Sequence, residues 1–441
     1  MKNLLVLHLE SITRQRLDAF ASSFPNTRRL IRQARMYDRF FSSATSTLMV
    51  VSYLFHGNDF EFDAATQFEG MRPAANNPHL YSLLQERGWK AELICLNGFH
   101  TTRPTTLSAW AGDLPPVWGT NDFPTLFARF DQLTDATPFA IYVWNLVTHI
   151  EHSLALAPYA VGYTDQVRRA CKVADDAIGV FLATLERKGL LDKTTIVVYG
   201  DHGDDYWTHG FKGGMVHATE PYAQITWTPL AIRDSALGPG IDERLASTID
   251  IAPTCLELLG VDQGLAFVPS GRSLLGRAAD AVHAQNFTAS QPDNREWNIV
   301  KAFAVTDDTY VLLASSRGLE LYAYHLDPGN HCNLLHFFDV AADGRLALRA
   351  RAGSAGHFRA ALLDNPRAAS HIAARFATLR ERLGVRIAAK RAFAAAHGVD
   401  PARTLNPASL AVVAPPIGPA TIPSPAGRPA LAPFEFTYRL R

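Results

Sequence analysis

The stretch that decides the fold is Gly200-Asp201-His202-Gly203-Asp204-Asp205, which follows the run Thr194-Thr195-Ile196-Val197-Val198-Tyr199. β-Branched and aromatic residues fill that run and a glycine ends it, a pattern typical of a buried strand. An Asp-His pair at the carboxyl end of a strand places a carboxylate oxygen and an imidazole nitrogen at a sheet edge, where α/β proteins build their sites. The pair alone is equally consistent with a turn and a surface histidine. It predicts half of a metal site, provided that other segments supply the rest.

Glu10 and Thr47 are the candidates for the other half. The apolar run 3–9 is typical of a central parallel strand, and Glu10 stands where that strand should end. Thr47 follows a Ser/Thr-rich segment and opens an apolar stretch that Gly57 closes, which predicts a short helix. A hydroxyl at a helix start is often a plain N-cap. The same geometry also aims free backbone N–H groups at an anion, as a phosphoryl-transfer nucleophile requires.

Taken in order along the chain, these residues resemble the alkaline phosphatase and sulfatase superfamily. In that family a strand-end acid comes first, a nucleophile segment second and an Asp-His-Gly strand third, and Glu10, residues 47–57 and residues 201–203 lie over them. Later family signatures are resembled by residues 83–89, 174–194, 247–254, 258–261, 271–274 and 320–334. The resemblance covers most of residues 1–340. It implies an α/β, alkaline-phosphatase-like sandwich, with a mostly parallel central sheet flanked by helices and a small antiparallel C-terminal subdomain.

The nucleophile segment departs from that of true sulfatases. Sulfatases carry Cys or Ser at this position, followed by Pro and Arg, and oxidise it to formylglycine, whereas this chain has Thr47, Met49 and Val51. Threonine cannot form that aldehyde. The segment instead resembles the lipoteichoic acid synthases and the lipid A phosphoethanolamine transferases, which pass a phospho group through a phosphothreonine.

The same resemblance implies a divalent cation held by Glu10, Thr47, Asp201 and His202. Such a cation lowers the pKa of the nucleophile and neutralises the charge that develops on a phosphate ester. Three oxygens and one imidazole nitrogen suit Mn²⁺ or Zn²⁺. One metal site is expected, and a second is left open.

Two histidines follow the apolar run 139–147, which is typical of another strand. His149 stands where the family has a histidine, and we expect it to contact the substrate phosphate or to protonate the leaving group. His152 is the second candidate for substrate binding. A solvated loop position is the alternative for each.

The loop after the Asp-His pair carries the remaining candidates. His209 lies at the family's spacing for a histidine that faces the phosphate or completes a second metal site. Lys212 and His217 follow on the same loop, where they are expected to hold a substrate anion. Asp204 and Asp205 are expected to be solvated loop charges.

Composition excludes some partners. The chain has 441 residues, of which 42 are basic and 42 acidic, so no net charge attracts nucleic acid or an anionic membrane surface. The apolar run at the N-terminus is too short for a signal peptide or a membrane anchor, and no later stretch has the required length. The four cysteines lack metal-binding spacing and are expected to be reduced thiols. These features predict a cytoplasmic protein.

Four segments are predicted along the chain. They are a sulfatase-like catalytic core (1–285), a small β subdomain (286–340), a helical segment (341–400) and an extended Pro/Ala-rich tail (401–441). In the β subdomain, the runs 299–305 and 309–313 read as antiparallel strands paired with 320–326. The C-terminal helices and the tail could also join copies of the chain into a homo-oligomer.

The pattern as a whole predicts a metal-dependent phosphoryl-transfer enzyme, either a phosphotransferase or a phosphodiesterase or phosphatase. It would act on a small-molecule or glycan phosphate ester through a phosphothreonine at Thr47. A sulfuric ester hydrolase is an alternative within the same family. A catalytically silent binding subunit of the same fold is another, because Met49 and Val51 are unusual in the nucleophile segment.

Overall fold

A computed structural model of the chain describes residues 1–59, 78–96, 117–120, 123–149, 163–205, 209, 217–261, 270–286, 302–315, 317–341, 344–348, 366–396, 410, 411 and 413. In these ranges the central sheet contains β1 (Asn3–Leu9), β2 (Arg35–Phe41), β3 (Lys90–Leu96), β4 (Val117–Thr120), β5 (Phe139–Asn145), β6 (Thr194–Gly200), β7 (Leu230–Arg233) and β8 (Gly240–Ser247). Their order is β4-β3-β5-β1-β6-β7-β2-β8. β7 pairs antiparallel with both neighbours, and the other pairings are parallel. The predicted mostly parallel sheet is confirmed.

Helices cover both faces of this sheet. They are α1 (Arg14–Ala19), α2 (Pro25–Arg32), α3 (Thr47–His56), α4 (Leu80–Glu86), α5 (Phe123–Phe130), α6 (Tyr163–Arg187), α7 (Ala223–Thr226), α8 (Ile251–Leu259) and α9 (Pro366–Ala396). Short 3₁₀ turns occupy Ala21–Ser23, Leu146–Thr148, Leu191–Lys193, Thr248–Asp250 and Leu334–Phe337. α1, α2, α5 and α6 pack on one face, and α3, α4, α8 and α9 contribute to the core on the other.

Strand β1 contributes side chains to the hydrophobic cores on both faces of the central sheet. Leu5, Leu7 and Leu9 join the α6 side, whereas Leu4 and Val6 join the α3 side. Successive side chains of a strand point to opposite faces, so a central strand that is covered twice must be apolar at nearly every position. By the same alternation the even-numbered residues at the end of β1 belong to the α3 face.

A second, antiparallel sheet lies against the core. It consists of β9 (Val282–Asn286), β10 (Ala302–Thr306), β11 (Val311–Ser315) and β12 (Gly318–Tyr322), in the order β12-β11-β10-β9. This confirms the predicted small antiparallel sheet, whose first strand lies mostly before residue 286. A separate two-stranded pair, β13 (Phe338–Val340) and β14 (Leu346–Leu348), follows it.

The small sheet contacts the segment that leads from β2 into α3. The backbone N–H of Gln285 in β9 donates to the carbonyl of Ser43 at 3.1 Å, and Gln285 forms an isolated bridge with Ala44. The C-terminal helix α9 packs Ile372, Phe376 and Leu379 into the core shared with this sheet. Most of the tail from residue 401 onward lies outside the described residues, but Val413 forms a parallel bridge with Leu319 of β12. Within the described part of the chain, no helix has the length and apolar character needed to cross a membrane.

Candidate active site

Parallel strands bring the predicted acids to one edge of the central sheet. Leu9 of β1 is in register with Asn145 of β5 and with Gly200 of β6, so the three strands end together. The next residues, Glu10 after β1 and Asp201 after β6, therefore reach the same place. Both carboxylates are fully buried, with 0% exposure.

Two glycines let the Asp-His pair fit between its neighbours. A Cβ at Gly200 would lie 2.2 Å from the carbonyl oxygen of Ile12, and one at Gly203 would lie 2.3 Å from Thr13 Cγ2 and 2.7 Å from the carbonyl oxygen of Gln224. Side chains cannot approach backbone atoms this closely. The glycines at both ends of the pair thus allow the β6 end to pack against the β1 end.

The backbone at Ser11 aims a donor at Asp201. Ser11 adopts a left-handed conformation, with φ of 55°, which is uncommon for a residue other than glycine. In this conformation its N–H donates to Asp201 Oδ1 at 2.9 Å, and the N–H of His202 donates to the same oxygen at 2.8 Å. Asp201 Oδ1 is therefore fixed, while Oδ2 faces the interior of the site. Strained backbone of this kind is concentrated at functional sites.

Thr47 opens α3, as the sequence predicts, and Gly57 ends that helix in a left-handed conformation. The preceding Ser46 makes no side-chain capping hydrogen bond. Thr47 Oγ1 lies 3.2 Å from Glu10 Oε1 and 2.9 Å from His202 Nε2. The structure thus brings together the four residues predicted to hold a cation.

Hydrogen bonds define the tautomer of His202. Its Nδ1 lies 3.0 Å from the carbonyl oxygen of Gly203, which can only accept, so Nδ1 carries the proton. Burial lowers the pKa of His202 to about 4, and the ring is neutral near neutral pH. Nε2 is then an unprotonated acceptor, and it points at the hydroxyl of Thr47. The same lone pair is what a metal ion would use.

The pKa values of the two carboxyl groups are shifted in opposite directions. Burial and the nearby charge of Asp201 raise the pKa of Glu10 to about 7, although Trp144 Nε1 donates to Glu10 Oε2 at 2.6 Å. Burial also opposes ionisation of Asp201, but His202, His8 and the backbone N–H of Ser11 outweigh it and hold the pKa of Asp201 below its usual range. Two desolvated carboxylates this close need a positive charge to keep both ionised.

The donor set fits a divalent cation. One ligand atom each from His8, Glu10 and Asp201 lies within 4.8 Å of the others. His8 Nε2 and Asp201 Oδ2 are 3.1 Å apart, and among the described residues neither makes a well-aligned hydrogen bond. Buried polar atoms are normally satisfied, so atoms left in this state mark where a ligand belongs. We call His8, Glu10, Thr47, Asp201 and His202 the cation cluster.

His8 was missed by the sequence prediction, although the alternation of β1 could have revealed it. His8 has the same parity as Leu4 and Val6, and so it faces α3. There its Nδ1 lies 2.6 Å from Tyr142 Oη, which in turn lies 2.9 Å from Tyr199 Oη. Residues two apart on a strand point to the same face of the sheet. The position of His8, two residues before the strand-end Glu10, was therefore the signal in the sequence that could have identified it.

A second group of ionisable residues borders the cation cluster. His217 Nδ1 lies 2.9 Å from Asp204 Oδ1, and the His217 ring stacks on His202 with a centroid distance of 4.4 Å. Burial opposes protonation of His217, but Asp204 outweighs it and raises the pKa, while Asp204 itself has its pKa lowered to about 2 by His217 against the effect of burial. His149 lies next to His217, with 5.3 Å between ring centroids. The expectation that Asp204 is a solvated loop charge is wrong, because it is buried as the partner of His217.

His209 makes a separate set of contacts, with Asp205 and Asn330. Its Nδ1 donates to Asp205 Oδ1, and its Nε2 lies 3.1 Å from the carbonyl oxygen of Asn330. Both acceptors lack a proton to give, so both ring nitrogens carry hydrogen. Burial opposes this charge, but Asp205 raises the pKa of His209. Asp205 has 0% exposure, so the expectation of a solvated loop charge is wrong for this residue as well.

His209 belongs to a network that connects the segment after β6 to the small sheet. Its ring stacks on Tyr222 with a centroid distance of 3.7 Å. Tyr222 Oη donates to Glu320 Oε2 of β12 at 3.1 Å, and Arg317 Nη2 donates to Glu320 Oε1 at 3.2 Å. We call Asp205, His209, Tyr222, Arg317 and Glu320 the loop network.

His152 and Lys212 lie outside the described residues. Their substrate contacts therefore stay predictions, as do the roles of His149, His209 and His217 toward a substrate.

Comparison with known proteins identifies the family to which the chain is similar. The family model named Sulfatase matches residues 2–261. The chain is 26% identical over 215 residues to an arylsulfatase of Volvox carteri, a match that spans 40% of this chain and 32% of that protein. It is 30% identical over 118 residues to lipoteichoic acid synthase 2 of Bacillus subtilis, which spans 26% of this chain and 18% of that protein. The matched regions are thus a third or less of these relatives.

Solved structures share the fold at low sequence identity. A 2-O GAG sulfatase superposes with a TM-score of 0.60 at 14% identity, covering 76% of this chain and 87% of that one. A lipoteichoic acid synthase from Listeria monocytogenes gives a TM-score of 0.55 at 16% identity, covering 78% and 87%. The ordered motifs, the eight-stranded sheet and the family match over more than half of its length establish that this chain belongs to the sulfatase family, in the alkaline phosphatase superfamily.

Proposed function

We propose that the chain is a metal-dependent phosphoryl-transfer enzyme that uses Thr47 as a covalent nucleophile. The observation that carries the proposal is the position of Thr47 Oγ1 at the start of α3, 2.9 Å from His202 Nε2 and 3.2 Å from Glu10 Oε1. A threonine cannot be converted to the formylglycine aldehyde on which sulfate-ester hydrolysis in the family depends. It keeps a hydroxyl that can form a phosphate ester.

The substrate class follows from the nucleophile and from the relatives. Matched proteins include lipoteichoic acid synthases, and similar structures include a phosphonate monoester hydrolase of Agrobacterium radiobacter, with a TM-score of 0.53 at 15% identity. We infer a small-molecule or glycan ester of a substituted phosphate as substrate. Water or an acceptor hydroxyl completes the reaction, which makes the chain a phosphodiesterase or a phosphotransferase.

Glu10, Thr47, Asp201 and His202 would hold the cation, for which Mn²⁺ and Zn²⁺ suit the oxygen and nitrogen donors. When bound, it would neutralise charge on the phosphate and lower the pKa of the Thr47 hydroxyl.

The protein's own groups then account for both steps. Thr47 Oγ1 attacks phosphorus, the bond from phosphorus to the leaving oxygen breaks, and the hydroxyl proton of Thr47 leaves toward Glu10 Oε1. The leaving oxygen takes up a proton as the alcohol departs. Next, the oxygen of water or of an acceptor hydroxyl attacks the phosphothreonine and gives its proton to the group that had protonated the leaving alcohol. The bond from phosphorus to Thr47 Oγ1 breaks, and Oγ1 regains the proton held by Glu10.

The histidines beside the cation cluster are assigned to phosphate binding and to protonation of the leaving group. His149 is placed next to His217, whose charge Asp204 maintains. A protonated imidazole at this edge can bind a phosphate oxygen or protonate a leaving alkoxide. We assign His149 to the leaving group and His217 to the phosphate, with His152 and Lys212 as further substrate contacts and His209 as a candidate phosphate contact. Because both N–H groups of His209 point at protein acceptors, its contacts favour a positioning role.

The proposal is tested by trapping the covalent intermediate. Metal-loaded protein is mixed with bis-p-nitrophenyl phosphate, p-nitrophenyl phosphate or p-nitrophenyl sulfate, quenched in acid and analysed by intact-mass and peptide mass spectrometry. We expect turnover of a phosphate ester and a phospho group on the peptide that carries Thr47. Turnover of the sulfate ester well above both phosphate esters would favour the sulfatase alternative. Lack of turnover and of adduct on all three, in protein that binds metal, would favour the silent binding subunit.

A further inference from the structure

His8 lies at the base of the cation cluster, outside the residue set that the family resemblance implies. Its side chain has 0% exposure, and Nε2 lies 3.1 Å from Asp201 Oδ2 and 3.6 Å from Glu10 Oε2. Within the described residues, His8 Nε2 and Asp201 Oδ2 make no well-aligned hydrogen bond, although they face each other. A buried polar atom without a good hydrogen bond destabilises the fold, so this pair needs an explanation.

The ring of His8 cannot turn away from the two carboxylates. Its Nδ1 contacts Tyr142 Oη at 2.6 Å, and Tyr142 Oη contacts Tyr199 Oη at 2.9 Å. The ring also stacks on Trp144, with the two planes 4° apart. Three aromatic side chains from β5 and β6 therefore fix the direction in which Nε2 points.

We propose that His8 Nε2 is a further nitrogen ligand of the divalent cation, held in place by Tyr142; this inference rests on the proposed function. Tyr142 Oη can accept a hydrogen bond from Nδ1–H, which leaves the lone pair of Nε2 on the side of Glu10 and Asp201. Metal-bound histidines commonly donate their other N–H to a protein oxygen, which sets the tautomer and orients the ring. The cation would then satisfy both His8 Nε2 and Asp201 Oδ2 at once.

A different role for His8 predicts the opposite result. If His8 instead carried a proton, it would be a built-in positive charge for Glu10 and Asp201 and would compete with a cation. Removing it would then strengthen cation binding. Removing a ligand weakens it, so the sign of the change separates the two roles.

Two substitutions place the side-chain amide differently. His8→Gln can put an amide oxygen near the position of Nε2, whereas His8→Asn reaches only the position of Nδ1 and the contact with Tyr142. We expect His8→Asn to lower the affinity for Mn²⁺ and Zn²⁺ by about 10²-fold, and His8→Gln by less. Tyr142→Phe, which removes the orienting hydrogen bond, should lower it by about tenfold.

Binding is measured by isothermal titration calorimetry on chelator-treated protein, and the coordination by the visible absorption of the Co²⁺-loaded form. We expect the Co²⁺ bands of His8→Asn to change in position and intensity, because one nitrogen donor is lost. Circular dichroism and thermal melts check that each variant is folded. His79→Asn is the matched control, because His79 is also buried and caps α4 by accepting from the N–H of Tyr81 at 3.1 Å, which asparagine can do.

The outcomes are distinct. Unchanged or tighter binding by folded His8→Asn, or weaker binding with unaltered Co²⁺ bands, would overturn the assignment of His8 while leaving the proposed function intact. Failure of the wild-type protein to bind any of the three ions would instead overturn the metal site of the proposed function. His79→Asn should bind as the wild type does.

Discussion

The cation cluster and the loop network are both buried, and both include residues of the segment that follows β6, yet their charges are arranged differently. In the cation cluster two carboxylates face a neutral His202, and His8 Nε2 and Asp201 Oδ2 make no well-aligned hydrogen bond among the described residues. In the loop network Asp205 pairs with a protonated His209, and Glu320 pairs with Arg317. Both sets contain acids, histidines and hydroxyl groups.

The difference indicates which of the two is built for a ligand. Breaking a buried charge pair costs several kcal/mol. A network whose buried charges are already paired with one another therefore has a structural role. A set that is left with excess negative charge and with buried polar atoms that lack a good hydrogen bond is stable only when something else binds there. On this argument the loop network holds the small sheet to the segment after β6, and the cation cluster is the region that we propose to bind the cation and the substrate.

The largest effect is expected at the nucleophile. Thr47→Ala should lower turnover of a phosphate ester by at least about 10³-fold, because the covalent route is lost, while cation binding persists through the two carboxylates. Thr47→Ser keeps the hydroxyl and should retain much of the activity. Steady-state kinetics and metal analysis of the three proteins check this. Near-normal turnover in Thr47→Ala would point to water as the nucleophile.

A matched pair of Glu→Gln substitutions separates the two regions. Glu10→Gln should abolish tight cation binding, and at about pH 8 it should make the metal-free protein more stable by about 1–3 kcal/mol, because burial and Asp201 raise the pKa of Glu10 to about 7 and disfavour its charge. Glu320→Gln should lower stability by about 3 kcal/mol, since Arg317 and Tyr222 lose a buried carboxylate partner. Its cation affinity should stay close to that of the wild type.

Chemical denaturation and calorimetry on both variants test this crossed pattern. If Glu10→Gln destabilised the metal-free protein as strongly as Glu320→Gln does, the two regions would not differ in the way inferred above. If Glu320→Gln lost the cation, the loop network would be part of the metal site.

The proposed role of His149 is tested by comparing two substrates that differ in their leaving group. His149→Ala should slow cleavage of an alkyl phosphate ester by about 10²–10⁴-fold, because an alkoxide needs a proton to depart. A p-nitrophenyl ester should be affected much less, since p-nitrophenolate leaves without one, and it serves as the internal control. Equal losses on both esters would assign His149 to phosphate binding, and unchanged rates on both would remove it from the site.

The smallest effect is a pH dependence in the loop network. Asp205 raises the pKa of His209 above its usual value of 6.5 despite burial, so the protonated ring stabilises the folded state. This contribution is fully present below pH 6.5 and is lost as the pH rises through the folded-state pKa. The stability advantage of the wild type over His209→Gln should therefore shrink as the pH rises above 6.5. A constant difference across this range in denaturation experiments would contradict it.

Much of the fold and the centre of the site could be predicted because their determinants are local. The runs before Glu10 and Asp201 are continuous in apolar residues, and residues that follow parallel strands meet at one edge of the sheet. Thr47 was predictable from the helix that it opens and Gly57 closes. His8 was missed because it stands inside a run that looks like a plain buried strand.

The sequence by itself determined the order of the motifs and the mostly parallel sheet, and its resemblance to the family implied four of the five residues of the cation cluster, Glu10, Thr47, Asp201 and His202. Tertiary structure decided the burial of Asp204, Asp205 and His8 and their contacts: His217 folds back onto Asp204, Asn330 holds the His209 that pairs with Asp205, and Tyr142 contacts His8. Burial then gives these pairs their charge or tautomer, since a polar group that is removed from water takes the state that its neighbours stabilise.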